Sequence, residues 1–201
     1  AMLFECGVIK RRGSVEAQNT VTDYFPVEKE YGYSVFSTVF YAEFLNKKLN
    51  VIDCPGADDF IGGALTAMNV TDTGVIVIDS QYGVEVGTQN IFRYTEEMQK
   101  PVIFAMNQLD GEKADYDAVI EQLREDFGSK VVPIQYPIVS GPNFNAMIDV
   151  LLMKMYSWGP DGGTPTISDI PADQKEKALE LHKQLVEAAA ENDEALMEKF
   201  F

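Results

Sequence analysis

The chain has 201 residues and a formal net charge of −16 at pH 7, with 46% hydrophobic and 24% charged residues. This composition is that of a globular protein, and the length suits one domain with a small insertion. The acidic surface would repel a phosphate backbone, so we expect no direct binding to nucleic acid. No apolar run is long enough to span a membrane, and the only cysteines are Cys6 and Cys54. Both observations favour a cytoplasmic protein without disulfides.

The first part of the chain predicts a loop followed by a β-hairpin. Residues 7–34 show no hydrophobic periodicity and contain several glycines, which indicates a mobile loop. Residues 35–44 alternate and are rich in aromatic and β-branched side chains, and a polar turn at 46–48 separates them from a second strand. We therefore expect an antiparallel hairpin at one edge of a sheet.

The middle part predicts a parallel sheet. Short, β-branched-rich apolar runs that each stop at a polar residue lie at 49–52, 73–78 and 101–106. Helix-like segments are expected at 58–68 and 84–99, and a third helix carries apolar residues from Tyr116 to Phe127 on one face. Buried apolar strands that alternate with helices are typical of βαβ units. The sequence thus predicts an α/β fold with a mostly parallel sheet and an antiparallel edge hairpin.

The character of the sequence changes after Gly128. The predicted elements are an edge strand at 130–136, a helix at 144–158, a Gly/Pro-rich turn at 159–163, a helix that opens at Pro171, and a last helix at 192–201. Leu181, Leu185 and Ala188 would form one face of the helix after Pro171. We treat this part as a separate, smaller unit.

Two of the predicted parallel strands end in residues suited to a phosphorylated ligand. Asp53 and Gly56 follow one strand; a carboxylate there can hold Mg²⁺, and a glycine amide can approach a terminal phosphate. Asn107 and Asp110 follow another; an amide and a carboxylate can bond the edge of guanine. Each pattern alone is also common in turns without any function. If both strands belong to one sheet, the two groups face the same mouth.

The order and spacing of these motifs resemble the third and fourth signatures of GTP-binding domains. The segment 28–34 is similar to the end of the first switch of translational GTPases, and Asp53-Cys54-Pro55-Gly56 resembles their D-T-P-G motif. Segments around Phe144, Ile170 and Leu185 resemble the subdomain that is inserted in elongation factor G. The resemblance therefore covers almost the whole chain and is strongest to the elongation factor G family.

This resemblance implies a P-loop NTPase-like fold, with a partial GTP-binding domain at 1–130 and a partial, small α+β inserted subdomain at 131–201. It implies GTP or GDP with Mg²⁺ as cofactors and the ribosome as partner of the intact protein. Asp53, Gly56, Asn107, Gln108 and Asp110 would contact the nucleotide, and Asp53 with Ser34 would serve Mg²⁺. The alternatives are a ribosomal protection factor and a guanine-nucleotide module that switches without hydrolysis.

The sequence also departs from the family. It has no G-x-x-x-x-G-K-[S/T] loop for phosphates, so we expect a piece of a longer protein that lacks the phosphate-loop strand, is inactive alone and binds no nucleotide. The lost strand would leave a gap beside Asp53, closed by rearrangement or by self-association through unpaired sheet edges. Ala57 stands where the family has its catalytic histidine, Ser34 replaces a threonine, and Gln108 replaces a lysine. Slow or no hydrolysis is the expected result.

Other reactive residues are interpreted as structural. His182 is the only histidine and is predicted to lie in solvent on a helix surface, since one histidine makes neither a triad nor a metal site. Cys54 has no neighbouring histidine or basic residue in sequence that would activate it. The sequence at 140–142 could pass for the fifth GTPase signature, but its neighbours favour a simple turn.

Overall fold

A computed structural model describes residues 2–160 and 162–191. The helices are α1 (Met2–Glu5), α2 (Pro26–Tyr31), α3 (Ile61–Val70), α4 (Val86–Glu97), α5 (Tyr116–Phe127) and α6 (Lys175–Ala190). The strands are β1 (Thr38–Phe44), β2 (Lys47–Asp53), β3 (Gly74–Asp79), β4 (Val102–Asn107), β5 (Gln135–Pro137), β6 (Ala146–Asp149), β7 (Lys154–Gly159) and β8 (Gly162–Ser168). The predicted helix at 192–201 and Asp161 of the predicted turn lie outside the described residues.

The chain forms two compact units. The first comprises Ala1–Ile76 and Val86–Ile103, and the second comprises Val77–Glu85 and Phe104–Phe201. The predicted boundary near residue 130 stays a prediction. Among the described residues, no helix is both long and apolar enough to cross a membrane.

The predicted hairpin is present in the first unit. β1 and β2 pair antiparallel, with Phe44 opposite Lys47 and Thr38 opposite Asp53. Leu45 and Asn46 connect the strands, and both have positive φ angles, of 47° and 59°. Two left-handed residues in a two-residue loop give the turn whose twist matches that of the flanking strands.

The predicted parallel pair is also present. β3 and β4 are hydrogen-bonded neighbours in a two-stranded sheet, with α4 between them in sequence. The mixed α/β architecture, with a parallel sheet and antiparallel sheets, is therefore confirmed. The expectation that Asp53 and Asn107 end strands of a single hydrogen-bonded sheet is wrong, because β2 pairs only with β1 among the described strands. Among the described strands, none pairs with both β2 and β3.

The loop predicted at 7–34 contains a short helix. α2 begins at Pro26, whose fixed φ suits the first helical position, and it ends at Gly32, which has a φ of +73°. The helix was missed because one and a half turns are too short to show a hydrophobic period. The helix predicted at 58–68 is a short 3-10 turn, Asp58–Phe60, that continues into α3.

The second unit contains a four-stranded antiparallel sheet in the order β5-β6-β7-β8. The helix predicted at 144–158 is therefore wrong, because this segment forms β6 and β7. Oδ1 of Asp149 accepts a 2.7 Å hydrogen bond from the amide of Leu152, and Met153 has a φ of +52°, so a tight turn replaces the helix. The strand predicted at 130–136 is shorter than expected, but it does lie at an edge.

The core of the second unit lies between this sheet, α5 and α6. Tyr136, Ile148 and Val150 are almost fully buried, and Leu181 and Leu185 of α6 pack against them. Tyr116 of α5 is buried and donates a 2.9 Å hydrogen bond to the carbonyl of Gln135. Burial, with a smaller contribution from Asp117, raises the pKa of Tyr116 far above its usual range, so its hydroxyl is only a donor and acceptor of hydrogen bonds.

Candidate functional site

The first group of candidate residues follows β2 in the first unit. Asp53 is the last residue of the strand and is half-buried, and no described residue donates a hydrogen bond to its carboxylate. Pro55 is buried, whereas Gly56 and Ala57 are exposed. A side chain at Gly56 would meet nothing within 4 Å, so its backbone faces open space. This segment offers a carboxylate and an exposed glycine without a side chain to block an approaching group, which suits Mg²⁺ and a terminal phosphate.

Ala57 stands at the start of the 3-10 turn. Its carbonyl accepts a 2.9 Å hydrogen bond from the amide of Phe60, and its side chain is a single exposed methyl group. A methyl group can neither orient a water molecule nor stabilise charge. The position therefore carries no chemistry of its own.

The thiol of Cys54 is not activated. Burial raises its pKa, a hydrogen bond from Ser37 lowers it, and the negative charge of Asp53 raises it further, with a net increase. The thiol is therefore protonated at neutral pH, which agrees with the interpretation of Cys54 as a structural residue.

Ser34 lies in the segment that follows α2. Its Oγ donates a 2.6 Å hydrogen bond to Oδ1 of Asp23, and Thr20 donates a 3.1 Å hydrogen bond to Oδ2 of the same carboxylate. The hydroxyl of Ser34, which the sequence predicts as a ligand of Mg²⁺, is thus hydrogen-bonded to Asp23 in this structure. Binding of a metal would require Ser34 to exchange this partner.

Glu28 anchors the same segment, and its role was not anticipated. Its side chain is only 1% exposed, and its two oxygens accept hydrogen bonds of 3.0 to 3.1 Å from the amides of Phe25, Val35 and Phe36. Burial alone would raise the pKa of Glu28, but these three amides outweigh it and lower the pKa. A buried, ionised carboxylate therefore holds both ends of the turn around α2. A glutamate three residues after the residue that precedes the helix was the available sequence signal.

The second group of candidate residues follows β4 in the second unit. The side chains of Asn107, Gln108 and Asp110 are exposed on one short loop, and the side chain of Leu109 between them is buried. Gln108 has a φ of +56°, and its carbonyl accepts a 3.0 Å hydrogen bond from the amide of Gly111. The loop is thus a tight turn that presents three polar side chains to solvent.

Ser80 is a further residue of this loop region that the sequence did not reveal. It follows β3, is 1% exposed, and donates both from its amide, at 3.0 Å, and from its hydroxyl, at 2.7 Å, to the carbonyl of Asn107. No motif could have predicted this contact, because it joins residues 27 positions apart.

The segment around Gly141 lies beside the same loop. Its amide donates a 2.8 Å hydrogen bond to the carbonyl of Leu109, and Gly141 has a φ of +93°. The hydroxyl of Ser140 accepts a 3.4 Å hydrogen bond from the amide of Tyr116. The segment is a turn, as predicted, and it also supports the loop of Asn107.

His182 differs from its prediction. It is half-buried, and its Nδ1 is 2.8 Å from the carbonyl oxygen of Val150, so the ring joins α6 to the turn that follows β6 instead of lying in solvent. The packing of α6 buries His182, and the sequence of a single helix does not predict how that helix packs. A structural role is nevertheless retained.

Comparisons with known proteins agree with the motifs. A family model described as the elongation factor Tu GTP binding domain matches residues 1–196. An elongation factor G-like protein of Thermotoga maritima is 33% identical over 99% of this chain. A crystal structure of a Thermus thermophilus protein superposes with a TM-score of 0.90 at 30% identity over 99% of this chain. The chain spans 28% of the length of the Thermotoga relative and 30% of the Thermus chain.

These matches cover nearly all of the chain, so they confirm the resemblance to translational GTPases that the motifs after β2 and β4 had indicated. The chain belongs to the family of the elongation factor Tu GTP-binding domain.

Proposed function

We propose that this chain is the guanine-nucleotide switch of a cytoplasmic translational GTPase that acts on the ribosome. The observation that carries the proposal is the loop after β4, where Asn107, Gln108 and Asp110 are exposed on a turn whose backbone is held by hydrogen bonds. An amide and a carboxylate on one such turn can match the acceptor and donor groups of guanine. Asn107 would bond the acceptor edge of the base, and Asp110 would accept from its ring N–H and exocyclic amine.

The residues of the first unit fit Mg²⁺ and a terminal phosphate. Asp53 offers a carboxylate that accepts no hydrogen bond from a described residue, and Gly56 is exposed, with nothing within 4 Å of the position that a Cβ would take. Bound Mg²⁺ would neutralise phosphate charge at this position. In the proposed switch, Ser34 would exchange Asp23 for the metal, and the segment 28–34, which Glu28 anchors, would rearrange around the γ-phosphate.

Ala57 favours slow hydrolysis. The exposed methyl group cannot position an attacking water molecule, and loss of such a group costs about 10²- to 10³-fold in rate. A switch that binds GTP without hydrolysing it is therefore the second candidate function. The 1–130 part would be the GTP-binding domain, and the 131–201 part would be an inserted subdomain.

The chain alone would be inactive and would hold no nucleotide. It has no phosphate-binding loop of its own, and its net charge of −16 disfavours a direct contact with RNA. In the whole protein, other parts would make that contact. Unpaired edges of the two-stranded sheets could be covered by self-association.

The test is a titration of a fluorescent GDP analogue into the chain and into an extended version, in which residues with a G-x-x-x-x-G-K-[S/T] loop precede Ala1. We expect saturable binding by the extended version only. Asp110→Asn should shift its preference from GDP to xanthosine diphosphate, since an amide can donate where the carboxylate accepts. An extended version that binds GDP and ADP equally, or an Asp110→Asn variant with unchanged preference, would contradict the proposal.

A further inference from the structure

The loop after β4 is held by a buried hydroxyl group. Ser80 is 1% exposed, and its Oγ and its amide both donate to the same carbonyl oxygen of Asn107, at 2.7 Å and 3.0 Å. The hydrogen bond from the amide of Ser80 would suffice to join the ends of the two strands. The hydroxyl adds a second donor from a different direction, which restricts rotation of the peptide that follows Asn107.

Other contacts hold the rest of the loop. The amide of Gly141 bonds the carbonyl of Leu109, and the side chain of Leu109 is buried in the core. The carbonyl of Ser80 accepts a 3.0 Å hydrogen bond from the amide of Asp115, and Asp115 caps α5 through the amide of Ala118. Ser80 thus has three hydrogen bonds to the residues on either side of the loop.

The hydrogen bonds of this loop hold its backbone and leave its polar side chains exposed. The carbonyl groups of Asn107, Gln108 and Leu109 are all engaged, whereas the side chains of Asn107, Gln108 and Asp110 are exposed. A recognition loop built in this way loses little conformational entropy on binding, because its backbone is already ordered.

We propose that Ser80 is a positioning residue for base recognition, which fixes the peptide of Asn107 so that the side chain of Asn107 meets the acceptor edge of guanine. This inference rests on the proposed function. Its structural part, the ordering of the loop by the hydroxyl of Ser80, holds in the absence of nucleotide and can be tested separately.

The first experiment measures ¹⁵N relaxation of the 201-residue chain by NMR and compares the wild type with Ser80→Ala. We expect order parameters of about 0.85 for residues 107–111 in the wild type and lower values in the variant, with the largest decrease at residues 107 and 108, next to the peptide that the hydroxyl holds. Ser80→Cys keeps a weak donor at the same position, so its values should be intermediate. Ser168→Ala is the matched control, since the buried hydroxyl of Ser168 has no hydrogen-bond partner in the described part of the chain.

Ser80→Ala should fold, because both backbone hydrogen bonds of residue 80 remain. If it does not, Ser80→Cys alone decides. Unchanged order parameters at 107–111 in the folded variants overturn the inference, as does an equal loss of order throughout the second unit. A loss of order confined to the loop supports it.

The second experiment separates positioning from stability through base selectivity. In the extended version, Ser80→Ala should reduce the preference for GDP over ADP about tenfold. The variant would weaken the contact of Asn107 with the acceptor edge of guanine, whereas the contact of Asp110 with the ring N–H and the exocyclic amine would remain. A purely structural role would weaken both nucleotides equally, and that result overturns the inference. If the wild-type extended version binds no GDP, the proposed function fails, while the relaxation data still decide whether Ser80 orders the loop.

Discussion

Oγ of Ser34 donates a 2.6 Å hydrogen bond to Oδ1 of Asp23, eleven residues earlier in the chain. The other oxygen of Asp23 accepts from the hydroxyl of Thr20. One carboxylate therefore closes the loop that contains α2 and holds the hydroxyl that the proposed switch would transfer to Mg²⁺. The structure shows the segment in a conformation that must be left before a metal can be bound through Ser34.

Removal of the carboxylate should destabilise this loop. Asp23→Ala abolishes two part-buried hydrogen bonds and should lower the free energy of unfolding by about 1–2 kcal/mol, measured by urea denaturation. Asp72→Ala is the control, since Asp72 is exposed and has no hydrogen bond to a described residue. Equal stabilities of the two variants would show that the contacts of Asp23 contribute nothing.

Glu28→Gln should lower stability in a pH-dependent way. The amide nitrogen of glutamine would face a backbone N–H group that now donates a hydrogen bond to the carboxylate. The loss of this bond should cost about 1–3 kcal/mol at pH 7. Because the pKa of Glu28 is lowered on folding, its contribution is present above the unfolded pKa of about 4.3 and is lost as the pH falls through the lower folded pKa. The difference between wild type and variant should therefore shrink below about pH 4. Glu30→Gln, on the exposed side of the same helix, should show no such dependence.

Two glycines should differ sharply when replaced by alanine. A Cβ at Gly13 would lie 2.4 Å from the carbonyl oxygen of Asn19, so Gly13→Ala should cost about 1–3 kcal/mol of stability. A Cβ at Gly56 meets nothing within 4 Å, so Gly56→Ala should change stability by less than about 0.5 kcal/mol. Thermal unfolding measures both. A large loss of stability in Gly56→Ala would mean that this glycine serves the fold and not a ligand.

Ala57→His should restore a group that can position water. In the full-length protein with ribosomes, we expect the rate of GTP hydrolysis to rise about 10²- to 10³-fold. Asp59→His places the same side chain two residues later on the same exposed segment and should have no such effect. If the wild type already turns over rapidly and Ala57→His changes nothing, another residue performs this role.

The sequence predicted those elements whose signal is local. The strands β2, β3 and β4 were found because each is a continuous β-branched run that ends at a polar residue, and the candidate residues follow directly from those ends. The loop residues Asn107 and Asp110 are accordingly placed on one turn, as expected. The residues of the first unit, in contrast, could be assigned to their segments but not to their hydrogen-bond partners.

The failures have non-local causes. The segment at 144–158 has apolar residues that fit a helix, but the side chain of Asp149 closes a turn and the strands on either side pair with their neighbours in the sheet. The contact of Ser80 with Asn107 depends on two strand ends that meet only after β4 has paired with β3. The hydrogen bonds to the buried carboxylate of Glu28 likewise come from amides up to eight residues away.

The irregular pairing of β8 with β7 has a consequence for the behaviour of the protein in concentrated solution. The strand contains Pro165, which has no N–H to offer, and its pairing with β7 shifts register between Ser157 and Gly159. An outer strand that lacks a donor and pairs irregularly with its neighbour is a poor template for strands of other molecules. This rim of the four-stranded sheet is thereby protected against the edge-to-edge stacking that leads to aggregates.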